Sequence, residues 1–425
     1  MHKKKVLQNG LKILTVPIKN TKTATVLVMV KIGSKYEIKK NSGVSHFLEH
    51  LFFKGTKKRP TTLDIGKEFD QIGGEYNAFT SHEYTGFYAK VNSTHLNIAL
   101  DVISDILLNS KFDQKEIDKE KGVIIEEINM YNDAPMQYVE TLWNRCLYEN
   151  QPAGWDILGT KDTVTGISRK DIVDYYKKNY TSKNVVVCVA GDVLGGASTS
   201  PLTKGGSRGV IEKYFKFPSS GTINKKLKVK ISQTKPEILF HHKKTDQTHL
   251  MLGVRGYDMF NKDRFALKLL SIILGSGMSS RLFTEIREKR GLAYYVYTTT
   301  DNDTDTGYLV TGAGLDNSKV DEAIKVILGE YKNIKQSGVS AEELKKAKEY
   351  YKGKTVLSME SSDAWASFYT AQELLRDKTF ELDDIFAKID KVSLSDIKRV
   401  AKDVFVNKKL NLALIGPGKV SGLNF

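Results

Sequence analysis

Apolar and polar positions alternate along residues 11–33, and the run closes on TVLVMVKIG. A period of two buries one face of a strand and wets the other, so this stretch predicts strands of one sheet. Asn9-Gly10 interrupts a similar alternation just before it, which is the signal of a β-hairpin turn. Gly33-Ser34 and the charged stretch to Lys40 predict a loop, with Asn41-Ser42 as caps for a following helix. Residues 63–72 predict a short helix ended by Gly73-Gly74, and Tyr76–Thr80 and Tyr84–Val91 read as paired strands. Over about 94–110 the period lengthens, and Leu96, Leu100, Ile103 and Leu107 form one helical stripe. A second helix begins near Asp113 and runs through EIDKEKGVIIEEINMY. Residues 168–191 predict a helix, SRKDIVDYYKKNY, followed by a strand, NVVVCVAG.

The texture then changes. Residues 195–209, GGASTSPLTKGGSRG, have the small, polar, glycine-rich composition of a flexible segment. Order resumes briefly at VIEKYF, and 216–235 predict an inter-domain connection. Beyond it the pattern repeats. Ser168–Gly191 aligns without gaps to Ser393–Gly416, and both carry S-x-x-D-I before a β-rich strand ending in glycine. TGFYAKV at Thr85 matches TGYLVTG at Thr306, and Ala99 falls opposite Ala323 in the helices that follow. Three collinear matches predict two structurally repeated α+β domains, each a mostly antiparallel β-sheet packed with α-helices. The expected boundaries are residues 1–215 for the first domain, 216–235 for the linker and 236–425 for the second.

Composition narrows the class without naming a function. The chain has 425 residues, 40% hydrophobic and 27% charged, and no long uncharged apolar stretch able to span a bilayer. The basic N-terminus is followed by no apolar signal core, and Cys146 and Cys188 form no metal spacing. A cytoplasmic protein with two reduced, packed thiols is expected. A net charge of +15 invites a nucleic-acid reading, but the lysines are spread along the chain without a recognised motif. No nucleic-acid or membrane partner is expected, although a basic surface attracts acidic peptides.

The candidate chemistry lies in His46-Phe47-Leu48-Glu49-His50. On a helix His46 and His50 project from one face, a separation that suits two ligands of one Zn²⁺. Glu49 lies beside them and could take a proton from an activated water. A site with two histidines and one carboxylate needs a third ligand from elsewhere. Glu120, Glu126 and Glu127 on the later helix all compete for that role. In the second half FALKLLSIIL stands where the first half has its histidine helix, so only the first half can bind zinc in this way. The stretch GSGMSSRLFTEIREKRGLAYYVYT lacks the Lys-Ser/Thr of a phosphate loop, which makes its GSG a tight turn. Within it a guanidinium at Arg287 can hold peptide carbonyls, and the phenol of Tyr294 can donate to an oxyanion.

Together these residues resemble the pitrilysin-type (M16) zinc metallopeptidases, in a short two-domain form like that of the processing-peptidase branch. The matching blocks are GSKYEIKKNSGVSHFLEHLFFKGT, GGEYNAFTSHEYTGFYAKV, DKEKGVIIEEI and SRLFTEIREKRGLAYYVYT, in the family's order. The resemblance implies a LuxS/MPP-like metallohydrolase fold and a zinc endopeptidase acting on peptides in an enclosed chamber. It implies Zn²⁺ on His46, His50 and Glu127, Glu49 as general base, and Glu120 as a supporting acid. Arg287, Tyr294, Asn77 and Ala78 match its substrate-binding positions, the last two on a sheet edge where substrate lies extended. The glycine-rich insert departs from the family pattern. Larger relatives hold four such domains in one chain, with the zinc motif in the first and the Arg/Tyr pair in the last. A two-domain chain carrying both motifs is therefore expected to form a homodimer whose active site is completed in trans. The rival reading is a non-catalytic subunit of the same fold, which in the family has usually lost parts of the HxxEH motif.

Overall fold

The computed structural model describes residues 2–193, 211–219 and 222–418. The glycine-rich stretch 195–209 lies outside the described residues. Eleven strands are described: β1 (Lys3–Val6), β2 (Lys12–Pro17), β3 (Thr23–Val30), β4 (Glu75–Thr80), β5 (Thr85–Asn92) and β6 (Val185–Gly191), then β7 (Glu237–His242), β8 (Gln247–Arg255), β9 (Ala293–Asn302), β10 (Gly307–Asp316) and β11 (Leu410–Gly416). The helices of the first half are α1 (Val44–Leu51), α2 (Thr62–Asp70), α3 (Leu96–Asn109), α4 (Gln114–Asp133), α5 (Pro135–Tyr148), α6 (Lys161–Gly166) and α7 (Arg169–Asn179). The second half adds α8 (Arg264–Gly275), α9 (Val320–Ser337), α10 (Ala341–Ser358), α11 (Ser362–Arg376), α12 (Leu382–Asp390) and α13 (Leu394–Val404).

Two compact units form, each discontinuous in sequence. The first comprises Met1–Ile128, Asp156–Leu227 and Val356–Glu381; the second comprises Asn129–Trp155, Lys228–Thr355 and Leu382–Phe425. The first is built on a sheet of order β1-β2-β6-β3-β5-β4. Every neighbouring pair is antiparallel except β2 and β6. Alternation along β3 sends Val26 and Val28 to one face, where they meet Val44, Phe47 and Leu48 of α1 and Leu100, Ile103 and Leu107 of α3. Leu27 and Met29 go to the other face and pack with Ala366 and Tyr369 of α11. With both faces covered, β3 and β6 are apolar almost throughout, as burial on two sides requires.

The second unit repeats the plan. Its sheet has the order β7-β11-β8-β10-β9, with β7 and β11 the one parallel pair. One face carries α8 and α9 through Leu267, Leu270, Ile324 and Ile327. The other carries α5 from the first half of the chain, through Val139, Leu142 and Trp143 against Met251, Val310 and Ile415. The S-x-x-D-I matches acquire a physical basis here. Ser168 and Ser393 each accept a bond from the backbone N–H of Asp171 or Asp396, whose carboxylate caps the serine in return. Among the described residues no helix is long and apolar enough to cross a membrane.

Candidate metal centre and active site

Helix α1 is short, and its apolar residues decide how it sits. Val44, Phe47, Leu48 and Leu51 face the core of the first unit, which fixes the roll of the helix and turns His46 and His50 toward α4. On α4 the buried positions Ile117, Glu120, Ile124 and Ile128 recur at helical spacing, so Glu120 and Glu127 lie on the side that faces the histidines. Nε2 of His46 lies 3.6 Å and Nε2 of His50 lies 3.4 Å from the same oxygen, Oε2 of Glu127. One donor atom from each of the three residues falls within 4.8 Å of the others, the one such cluster of three or more among the described residues.

These separations can be tested against a metal. Ligands held at about 2.0–2.1 Å in a tetrahedral shell stand roughly 3.3–3.4 Å from one another. The two imidazole-to-carboxylate distances match that spacing, and a nitrogen–nitrogen–oxygen donor set is one that Zn²⁺ accepts. The residues fit the ion.

The surroundings prepare each donor differently. Nδ1 of His50 lies 2.8 Å from Oε1 of Glu120, a carboxylate only 1% exposed, which directs the ring's other nitrogen to Glu127. Nζ of Lys54 lies 2.7 Å from the second oxygen of Glu120 and keeps that buried charge compensated. Burial works against a proton on His50, but the hydrogen bonds to Glu120 and Glu127 outweigh it and raise its pKa to about 9. The field that favours a proton there favours a divalent cation in its place. Burial and the neighbouring His50 hold His46 down at about 4, so its ring is the neutral imidazole a metal requires. Glu49 accepts a 2.5 Å hydrogen bond from the Thr80 hydroxyl. Burial raises its pKa, the Thr80 bond opposes the rise, and the result is a carboxylate more basic than usual.

The start of α1 departs from expectation. Neither Asn41 nor Ser42 caps the helix: the N-cap is Gly43 at φ 94°, with no side-chain cap. The backbone N–H groups of Gly43 and Ser45 donate instead to the two oxygens of Glu37, at 2.7 and 2.8 Å. Burial pushes the pKa of Glu37 up to about 7 despite those bonds.

The remaining predicted residues lie as follows. Asn77 and Ala78 sit on β4, the sheet's edge strand, which pairs only with β5 among the described strands. Glu126 is exposed, one position away from the Glu127 oxygen that faces both rings. Arg287 and Tyr294 belong to the second unit. The Arg287 guanidinium lies 5.1 Å from the centre of the Phe283 ring within a π-helical turn, Phe283–Glu288. Tyr294 stands 78% exposed on the edge strand β9. Three contributors escape the sequence reading: Glu37, Lys54 and Thr80. Each is a common surface residue type in a loop or at a strand end; Lys54 and Thr80 act through long-range contacts, and Glu37 through backbone N–H groups six and eight residues on, so none leaves a local pattern.

Comparisons with known proteins add an independent line. Residues 12–161 match the family model described as insulinase, peptidase family M16, and residues 207–351 match the model described as the peptidase M16 inactive domain. An uncharacterized zinc protease of Bacillus subtilis is 36% identical, with 98% of each chain covered. A second, from Streptomyces coelicolor, is 35% identical over 97% of this chain and 89% of its own. Among solved structures, a protease from Helicobacter pylori superposes with a TM-score of 0.90 at 26% identity, covering 98% of this chain and 99% of its own.

Proposed function

The chain belongs to peptidase family M16, and on that premise we propose that it is a zinc-dependent endopeptidase cutting peptides or unstructured polypeptide segments. The observation that carries this reading is the single Glu127 oxygen set 3.6 and 3.4 Å from the two imidazole nitrogens. His46, His50 and Glu127 are the residues that would hold Zn²⁺. When bound there, the ion would supply Lewis acidity toward a scissile carbonyl and an attacking water.

The protein's own groups do the rest. Thr80 occupies one oxygen of Glu49 and leaves the other to take the proton of the attacking water. Glu49 then returns that proton to the amine that leaves. Glu120 holds the tautomer of His50. A substrate segment adds as a further strand along the open edge of β4 at Asn77 and Ala78, so main-chain bonds give affinity with loose sequence demands. In this reading Arg287 holds a substrate carbonyl, Tyr294 donates to the developing oxyanion, and the chamber around them is completed by a second copy of the chain.

Glu49→Gln keeps the shape of the side chain and removes the base. We expect zinc content equal to wild type and cleavage of a quenched peptide slower by roughly 10²–10⁴-fold. Turnover within threefold of wild type ends the general-base assignment.

A further inference from the structure

Resting on the metal-site reading above, we propose that Glu37 is the positioning residue for His46, acting through the backbone at the start of α1. The two histidines are held by different devices. The ring of His50 is tied by its Nδ1 to Glu120 at 2.8 Å. Nδ1 of His46 is buried with no hydrogen-bond partner among the described residues, in a residue only 7% exposed. No hydrogen bond to that atom sets the angle of the His46 imidazole, so its direction depends on where the backbone of the first helical turn lies.

That turn is anchored by Glu37. The N–H of Ser45, the residue before His46, donates to Oε1 of Glu37 at 2.8 Å, and the N–H of Gly43 donates to Oε2 at 2.7 Å. The Ser45 hydroxyl is itself 2.9 Å from that of Tyr175. The first N–H groups of a helix have no partner within it and need one from outside. Here the N-cap position cannot supply a side chain. Gly43 is in the left-handed region, and a Cβ on it would lie 2.6 Å from the backbone oxygen of Leu158. A carboxylate from six residues upstream takes over the duty. Glu37 is 3% exposed and has no cationic partner among the described residues. A buried charge left uncompensated is costly, and what offsets it in part here is the pair of N–H groups, the Ser45 hydroxyl and the positive end of the helix. The cost falls on the helix that carries both candidate histidine ligands.

The test measures zinc affinity on the full chain, by competition with a chromophoric chelator, together with the visible spectrum of the Co²⁺-substituted protein. Wild type is expected to bind. Glu37→Gln places an amide NH₂ against one of the two backbone donors. It is expected to bind zinc about tenfold or more weakly, as loss of an outer support typically does, with altered Co²⁺ bands and cooperative unfolding retained. A zinc affinity within twofold of wild type and an unchanged spectrum overturn the role of Glu37 while leaving the metal site standing. A wild-type chain that binds no zinc overturns both. If Glu37→Gln does not fold, Ser45→Pro removes the N–H of the anchor together with the Ser45 hydroxyl, within the first helical turn, where proline is tolerated. Ser45→Ala removes the hydroxyl alone and controls for its contacts with Glu37 and Tyr175. Ser45→Pro is expected to weaken zinc about tenfold and Ser45→Ala less than twofold. Ser45→Pro within twofold, or equal weakening by both, overturns the proposal.

Discussion

At the scale of single residues, the carboxylates around the histidines are sorted by what each one faces. Glu127 presents one oxygen to both imidazoles, Glu120 is locked between His50 and Lys54, and Glu126 is exposed. Glu127→Gln should therefore weaken zinc binding by more than about tenfold, since it removes a charged oxygen donor, while Glu126→Gln should not. Equal zinc affinity in the two purified variants would show that the third ligand is elsewhere. Glu37 supports a separate expectation about pH. Its pKa is raised by burial to about 7 against the bonds from Gly43 and Ser45, and the titratable group it influences nearby is Tyr175, a buried phenol that stays protonated. A raised carboxyl pKa means that the folded state holds the proton more tightly than the unfolded chain. The stability that this group contributes is thus fully present below about pH 4.5 and is lost as the pH rises to about 7. Urea unfolding at intervals from pH 5 to 8 should show wild type losing up to roughly 3 kcal/mol relative to Glu37→Gln. Parallel curves for the two proteins would contradict it.

At the scale of elements, the start of α1 is tightly constrained. Gly43→Ala meets two obstacles together: a φ of 94°, and a Cβ 2.6 Å from the Leu158 oxygen and 3.0 Å from the Gly159 Cα. The obstructing atoms are backbone, so relief requires moving α1 or the 158–159 turn. We expect a loss of at least about 2 kcal/mol in urea unfolding. A change below 0.5 kcal/mol would show that the turn yields freely. Much of the element plan was legible in the chain. The Leu96/Leu100/Ile103/Leu107 stripe is the buried face of α3, and the S-x-x-D-I repeats are matching capping boxes before β6 and β11. Other features have no local signature. Nothing in the periodicity of Ser362–Arg376 says that this helix, late in sequence, covers the outer face of the first sheet through Ala366 and Tyr369. Nothing in KYEIKK separates the buried Glu37 from the charges beside it. Periodicity reports which face of an element is apolar; the partner of that face, or of a lone carboxylate, is a property of the fold.

At the scale of the whole molecule, one chain carries both the HxxEH stretch and the Arg287/Tyr294 pair. The first unit holds His46, Glu49, His50 and Glu127, and the second holds Arg287 and Tyr294. A two-fold pair of chains would bring the first domain of one copy opposite the second domain of the other, and each active site would then draw on both copies. The prediction is complementation. One preparation carries Glu49→Gln, and the other carries Arg287→Ala with Tyr294→Phe; each alone is expected to be nearly inactive. In a mixed dimer of the trans type both lesions fall in the same site, which leaves the opposite site with an intact Glu49, Arg287 and Tyr294. Random exchange of equal amounts makes about half of the dimers mixed, each with one working site of two, so activity should recover to about a quarter of wild type. If the Arg/Tyr pair served its own chain, every site in a mixed dimer would keep one lesion, and mixing would restore nothing. Exchange must be followed separately, by mass labelling of one preparation. With exchange complete, activity no higher than that of the separate variants would rule out the trans site and assign the pair to its own chain or to no catalytic role.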